Sequence, residues 1–159
     1  LDAKKYFWNR RTPEESAQDI SDLLELFMKK WQKNEILLIG YSMGAEVLPF
    51  IIDKLPNNLR AKIKKTILLS PDENADFEIH FSNMIGLGNS ENTYNVVDEL
   101  KKISNMVSIL LITGAEEDSS LPARLSETSV QFALVPGDHH YNNDSHAIIE
   151  SLFEKNKIK

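Results

Sequence analysis

The sequence of 159 residues contains no cysteine, only six glycines and no long hydrophobic run. Without cysteine the chain can form neither disulfide bonds nor thiolate metal sites, and it has no cysteine nucleophile. No apolar run approaches the ~18 residues that a membrane-spanning helix needs, and the first residues do not follow the pattern of a signal peptide. Any chemistry must therefore come from other side chains.

Basic residues are in the minority, because 18 Lys and Arg face 24 Asp and Glu and the formal net charge is −6. This balance argues against a nucleic-acid partner. Hydrophobic residues make up 42% of the chain, which is enough for one substantial core. We therefore expect residues 1–159 to form a single globular domain.

The most informative motif is Gly-Tyr-Ser-Met-Gly at residues 40–44, between an apolar run at 36–39 and a helix-compatible stretch at 45–55. A G-x-S-x-G sequence at a strand-to-helix turn is typical of the nucleophile elbow, which exposes a strained serine. We expect the tight turn to require glycine at both ends. Ser42 is therefore the candidate nucleophile, and the alternative is a glycine-rich turn with an incidental serine.

Apolar segments alternate with segments of helical periodicity along the rest of the chain. Strands are predicted at 36–39, 66–70, 107–113 and 130–135, and helices at 13–33, 45–55, 94–103 and 144–155. This alternation predicts an α/β-hydrolase-like fold with a mostly parallel sheet covered by helices on both faces. Only 35 residues precede Ile36, so we expect the domain to lack the N-terminal strands and to be the C-terminal portion of a longer protein.

The acid of a hydrolase triad should follow a later strand, and the loop after 107–113 offers two candidates. Asp118 has the D-x-x-apolar-Pro spacing that is typical of this loop, and we choose it. Glu117 completes a G-x-x-acid pattern from Gly114 and is the rival. The acid would fix the tautomer of the histidine and stabilise its charged form.

The histidine should follow the last strand, and residues 136–141 read Pro-Gly-Asp-His-His-Tyr. We choose His140, which lies three residues after Gly137 and precedes an aromatic residue, and we keep His139 as the rival. Adjacent histidines can also bind metal, but His146 is the single candidate for a third ligand. We therefore predict no metal site and no cofactor.

An oxyanion hole needs two backbone donors, and the N–H of Met43, directly after the serine, should be one. The second donor normally follows an earlier strand that this sequence lacks, so we expect a half-built hole. Residues 72–93 form a long irregular stretch, predicted as either a lid with an apolar underside or a small edge strand. From this region and the elbow we expect substrate contacts by four residues: Tyr41, Asp76, Phe77 and His80.

Five segments, at residues 2–8, 11–14, 39–50, 75–80 and 136–141, together resemble the bacterial virulence protein family VirJ/AcvB. The resemblance runs from end to end and implies a periplasmic, α/β-hydrolase-like protein. It also implies hydrolysis of lysyl- or alanyl-phosphatidylglycerol, which releases the amino acid from the lipid headgroup. The catalytic positions that it implies are Ser42, the acid at 117–118 and the histidine pair at 139–140.

We therefore expect a serine ester hydrolase that acts on a lipid or another ester. Acids at positions 72, 73, 76 and 78 could bind the cationic amino group of an aminoacyl ester. Aromatic residues at 6–8 either contact a membrane surface or pack under the first helix. The alternatives are a general carboxylesterase or thioesterase, and a non-catalytic interaction module associated with virulence or secretion.

Overall fold

The structure is a computed structural model that describes residues 3–78 and 94–156. Its helices are α1 (Ala3–Tyr6), α2 (Pro13–Trp31), α3 (Met43–Lys54), α4 (Asn57–Arg60), α5 (Val96–Ile103), α6 (Leu121–Arg124) and α7 (Ser145–Asn156). Its strands are β1 (Ile36–Tyr41), β2 (Ile63–Leu69), β3 (Asn74–Ala75), β4 (Tyr94–Asn95), β5 (Ile109–Gly114) and β6 (Gln131–Val135). The predicted lid or edge strand falls largely on 79–93, outside the described residues.

The four longer strands form one parallel sheet in the order β1-β2-β5-β6. The register pairs Gly40 with Leu68, Leu68 with Leu111, and Leu111 with Phe132. Because all four strands run the same way, their carboxyl ends meet at one edge of the sheet. That edge is where the loops with the candidate serine, acid and histidines begin, and the predicted α/β architecture is confirmed.

Helices cover the two faces of the sheet unequally. The larger core lies between the sheet and the helices α2, α3 and α5, and it includes Val47, Ile52 and Leu100. A smaller core on the other face packs β2, β5 and β6 against α7. On that second face β1 presents three exposed side chains: Leu37, Ile39 and Tyr41. β1 is also one of the two edge strands of the described sheet, and β6 is the other.

Helix α2 begins with a complete capping box. The Thr12 hydroxyl accepts a hydrogen bond from the N–H of Glu15 at 3.1 Å, and the Glu15 carboxylate accepts one from the N–H of Thr12 at 2.9 Å. Pro13 fills the first helical position, where its missing N–H costs nothing. The caps fix where α2 begins, and its apolar face packs beside α3, the helix that follows the candidate serine.

The three aromatic residues at positions 6–8 differ in their exposure to solvent. Phe7 is 1% exposed and packs edge-to-face on Phe77. The Tyr6 hydroxyl donates to Asp19 at 2.6 Å, whereas Trp8 is 58% exposed. Of the three aromatics only Trp8 presents a large surface to solvent, and the other two pack against α2 and the core.

Candidate active site

The turn between β1 and α3 has the geometry of a nucleophile elbow. Ser42 adopts φ 51° and ψ −124°, a left-handed conformation that is unfavourable for a residue with a side chain. Its N–H donates to the Leu69 carbonyl of β2 at 2.9 Å, so the neighbouring strand holds the turn in place. The hydroxyl is thereby raised above the carboxyl end of the sheet.

The two glycines of the motif are not equivalent, which corrects our expectation that both are sterically required. A Cβ at Gly40 would lie 2.5 Å from the carbonyl oxygen of Gly44, closer than any real contact. A Cβ at Gly44 would meet no described atom within 4 Å. The backbone passes closest to itself at Gly40, because this residue leaves the strand directly beneath the first turn of α3.

Three side chains from three different loops are joined in a chain of hydrogen bonds. The imidazole Nε2 of His139 lies 3.0 Å from the Ser42 Oγ. Its Nδ1 lies 3.0 Å from the Oε2 of Glu117. A serine hydroxyl, an imidazole and a carboxylate in this order form the arrangement in which the imidazole can take the serine proton and the carboxylate can stabilise the resulting cation.

The structure therefore corrects our choice of histidine. His140 points to the other side of the turn, where its Nδ1 lies 2.7 Å from the Tyr41 hydroxyl. The two imidazole planes are nearly perpendicular, at 83°. Gly137 has φ 113°, so the chain enters the turn in a left-handed conformation, and within the turn the side chain at 139 is the one directed toward the serine. Spacing from Gly137 alone does not reveal that direction.

The choice of Asp118 is corrected as well, since Glu117 and not Asp118 contacts the histidine. Asp118 is exposed and lines the cavity beside the site. Glu117 is turned inward because its N–H donates to the Gly114 carbonyl at 3.1 Å, and its Oε1 accepts from the Gly114 N–H at 2.6 Å. The G-x-x-acid pattern was the signal that identified it.

Glu117 is held in its charged form. Burial raises the pKa of this carboxyl, but hydrogen bonds from Ser70, the Gly114 N–H and His139 outweigh that effect, and the pKa lies below its ordinary value. A carboxylate that is ionised at neutral pH can accept a hydrogen bond from the Nδ1–H of His139 and fix the neutral tautomer. That tautomer leaves Nε2 free to accept the hydrogen of the Ser42 hydroxyl.

Sequence reasoning missed two residues that position the acid. The Ser70 hydroxyl donates to Glu117 Oε1 at 2.5 Å, and it also lies 2.6 Å from the hydroxyl of Tyr141. Tyr141 is 2% exposed, and its hydroxyl lies 3.1 Å from the carbonyl of Ile112. Burial raises the pKa of Tyr141 to about 12, so the phenol stays protonated and able to donate. The sequence points to these two residues only through their positions: Ser70 directly follows β2, and Tyr141 directly follows the histidine pair.

The loops of the acid and the histidine meet at Gly114. A Cβ there would lie 2.3 Å from the carbonyl oxygen of Asp138 and 2.5 Å from that of Gly137. Glycine thus lets the histidine turn lie directly on the end of β5. The N–H of Glu116 donates to the Gly137 carbonyl at 3.0 Å, which ties the two loops together and brings His139 within reach of Glu117.

Met43 is the first residue of α3, so helical geometry leaves its N–H without an intrahelical acceptor. This N–H adjoins the serine at the positive end of the helix dipole, a suitable place for an oxyanion. Its role as a donor in an oxyanion hole stays a prediction.

A cavity of about 440 Å³ opens beside the serine and the histidine. Among the described residues it is lined by five carboxylate side chains and by no lysine or arginine, the carboxylates being Glu46, Asp72, Glu73, Glu117 and Asp118. Arg124 forms an ion pair with Glu73. Burial, reinforced by Asp72, raises the pKa of Glu46 to about 7, although the Asp72 N–H and His139 favour its charged form. The cavity therefore favours a cationic or neutral group.

The predicted substrate-contact residues are dispersed. Tyr41 lies against the histidine pair, with its ring 5.6 Å from that of His139. Phe77 is 2% exposed and packs on Phe50 and Tyr94, so the prediction that it contacts substrate is wrong: the residue belongs to the core. Asp76 accepts the N–H of Glu78 at 3.0 Å and does not line the cavity beside Ser42. His80 lies outside the described residues.

Within residues 3–78 and 94–156, no three His, Asp or Glu side chains are grouped to hold a metal ion. None of the helices described there combines the length and the hydropathy that crossing a membrane requires.

The model of the family described as bacterial virulence protein (VirJ) matches residues 1–159, the whole chain. The chain belongs to the VirJ family. The resemblance inferred from the sequence segments is thereby confirmed. Among curated proteins none matches the chain significantly in sequence.

Solved structures identify the fold of this VirJ-family chain. A lipase-esterase related protein from Clostridium acetobutylicum superposes with a TM-score of 0.56 at 16% identity, over 89% of this chain and 74% of that one. The thioesterase domain from the curacin biosynthetic pathway gives 0.54 at 15% identity, over 87% and 73%. Naproxen esterase from Bacillus subtilis gives 0.52 at 13% identity, over 87% and 65%. The fold is that of the α/β-hydrolases.

Proposed function

We propose that the protein is a serine ester hydrolase in which Ser42 is the nucleophile, His139 the general base and Glu117 the acid that orients it. The observation that carries this proposal is the pair of 3.0 Å contacts that join the Ser42 hydroxyl to His139 and His139 to Glu117. Three loops separated by 22 to 97 residues in sequence supply these groups. The esterase and thioesterase structures with the same fold support the proposal.

In the first half of the reaction Ser42 Oγ attacks the acyl carbonyl, and its proton passes to Nε2 of His139. The N–H of Met43 donates to the oxyanion. The tetrahedral intermediate then collapses, the bond to the alcohol breaks, and His139 returns the proton to the leaving oxygen. In the second half His139 takes a proton from water, the hydroxide oxygen attacks the acyl-serine, and the carboxylic acid leaves as Ser42 recovers its proton.

For the substrate we propose aminoacyl-phosphatidylglycerol, in the lysyl or the alanyl form. Membership of the VirJ family supports this choice, and so does the charge of the cavity. Such a substrate carries an ammonium group next to the scissile carbonyl, where Glu46 and Asp72 can offset its charge. Glu46 lies in the first turn of α3 and lines the same cavity as Ser42.

We propose a periplasmic location, which the resemblance to the family supports, and a peripheral membrane contact. Trp8 and Trp31 are exposed aromatic residues that can make such a contact. A general carboxylesterase or thioesterase is the second candidate function, favoured by the esterase and thioesterase neighbours. The third is a non-catalytic interaction module on the same fold.

The test is labelling with a fluorophosphonate probe, comparing the protein with its Ser42→Ala variant. We expect labelling that Ser42→Ala abolishes and that the control Ser126→Ala, on the exposed turn after α6, leaves unchanged. Vesicles that contain lysyl-phosphatidylglycerol should then release lysine with the parent protein and not with Ser42→Ala. Equal labelling of parent and Ser42→Ala would refute the nucleophile, and hydrolysis of neutral esters alone would favour the second candidate.

A further inference from the structure

The histidine pair is fastened to the residue that precedes the nucleophile. The hydroxyl of Tyr41 lies 2.7 Å from Nδ1 of His140 and 3.2 Å from the backbone carbonyl oxygen of His139. We propose that Tyr41 and His140 act as one unit that positions His139 against Ser42. This inference rests on the proposed function, because it assigns His139 as the general base.

The number of hydrogens available for donation determines which group donates and which accepts in the contacts of Tyr41. A phenol has a single proton to donate but can accept through its oxygen. Both contacts of Tyr41 are satisfied at once when its hydroxyl donates to the His139 carbonyl and His140 donates from Nδ1 to the phenol oxygen. Burial, with Glu117 and Asp138 nearby, raises the pKa of Tyr41, so the phenol keeps that proton. His140 is thus assigned the tautomer with hydrogen on Nδ1.

The backbone around His139 depends on such a restraint. The carbonyls on either side are held within the turn, since Asp138 accepts from the Tyr141 N–H and His140 accepts from the Asn143 N–H, both at 2.9 Å. The carbonyl of His139 between them is bonded to Tyr41. The three following residues, 141–143, all have positive φ between 52° and 58°, which side chains rarely adopt. Such a turn keeps its shape only when its surroundings fix it.

Tyr41 is well placed to connect the two catalytic loops. It is the last residue of β1, directly before Ser42, so its backbone moves with the nucleophile. Its ring lies 5.6 Å from the His139 ring at a tilt of 35°. A shift of the histidine turn relative to the elbow must therefore disturb the Tyr41 contacts together with the contact between His139 and Ser42. The unit adds no group to the reaction and acts only through the position of His139.

The experiment is a double-mutant cycle on the rate of fluorophosphonate labelling in the intact protein. Tyr41→Phe and His140→Ala should each lower the maximal labelling rate about tenfold and leave the half-saturating probe concentration unchanged, as misplacement of a base predicts. The double variant should lose no more than either single variant, because both remove the same unit. His140→Asn should retain the parent rate, since its amide nitrogen can donate in place of Nδ1.

Tyr6→Phe is the control, because it removes a hydroxyl that bonds to Asp19 far from the site. Thermal unfolding should give similar midpoints for all variants. Parent-like rates for Tyr41→Phe and His140→Ala, or losses that multiply in the double variant, would overturn the unit and leave the nucleophile intact. A parent protein whose labelling does not depend on Ser42 would overturn the proposed function and this inference together.

Discussion

At the scale of single residues, the structure distinguishes two neighbouring carboxylates as candidates for the triad acid. Glu117 contacts His139, Ser70 and the Gly114 N–H, whereas Asp118 is exposed on the cavity rim. Glu117→Gln keeps the shape of the side chain and removes the charge that stabilises the imidazolium. We expect it to lower the rate of fluorophosphonate labelling by roughly 10⁴-fold, the order of the loss when a triad acid is replaced.

The matched variant is Asp118→Asn, which should change that rate by no more than about twofold, as surface substitutions usually do. Labelling rates measured for both variants at one pH make the comparison. A larger loss in Asp118→Asn than in Glu117→Gln would restore the choice made from the D-x-x-apolar-Pro spacing and would require a rearranged loop in solution.

Glu46 makes stability depend on pH. Burial raises its pKa in the folded chain to about 7 from an ordinary value of 4.5. Between these pH values the folded state binds the proton more tightly, so the stabilisation from protonation is complete below about pH 4.5 and is lost as the pH rises to about 7. Glu46→Gln should therefore be more stable than the parent at pH 8, by about 1–3 kcal/mol at ~1.4 kcal/mol per pKa unit.

Urea unfolding at pH 4.5, 6 and 8 measures this difference. Glu25→Gln, which removes an exposed charge on α2, is the control and should shift the free energy of unfolding equally at all three pH values. A stability gap between parent and Glu46→Gln that stays constant with pH would mean that the carboxyl is solvated and titrates normally.

At the scale of elements, the elbow shows that one motif can contain a constrained and an unconstrained glycine. Gly40→Ala would force a Cβ into the Gly44 carbonyl, at 2.5 Å, and the first turn of α3 would have to move. We expect this variant to be destabilised by several kcal/mol, about 2–4, and to lose Ser42 labelling. Gly44→Ala should fold with a midpoint close to that of the parent.

Thermal unfolding and labelling of the two alanine variants provide the check. Equal destabilisation of the two variants would contradict the difference between the glycines. Retained labelling in a folded Gly40→Ala would mean that the elbow tolerates a shift of its backbone.

Much of the element pattern could be predicted from the sequence, and the reason is physical. The capping residues Thr12 and Glu15 act locally, and the apolar runs of the four strands are long enough to indicate burial on their own. Side-chain direction in the turns is different, because it depends on long-range contacts. The choice between His139 and His140 follows from the conformation at Gly137 and from Tyr41, which lies almost a hundred residues away.

Phe77 shows the same limit for the core. The alternation of apolar residues from 77 to 81 identifies a face, but it does not tell whether that face covers the site or the interior. In the structure Phe77 packs between Phe7, Phe50 and Tyr94. Phe77 is buried because aromatic residues from three remote segments pack around it, and a single sequence does not show that these segments meet.

At the scale of the whole molecule, the sheet leaves its first strand at an edge with apolar side chains in solvent. Ile39 is 55% exposed and Leu37 is 46% exposed. Exposed edges of this kind promote pairing between chains, and a lysine on the edge opposes it. Ile39→Lys should therefore lower the apparent mass measured by light scattering at high concentration, whereas lysine at the exposed polar position Glu25 should not.

The strand at this edge ends directly before Ser42, so association between chains along β1 would also affect the proposed catalytic site. The net charge of −6 keeps chains apart at low ionic strength, and physiological salt shortens the reach of that repulsion to about 8 Å. Chains that associate along β1 would bury the approach to their own nucleophile while still folded. Inactivation on concentrating or salting the sample would then be reversed by dilution alone, unlike inactivation by unfolding.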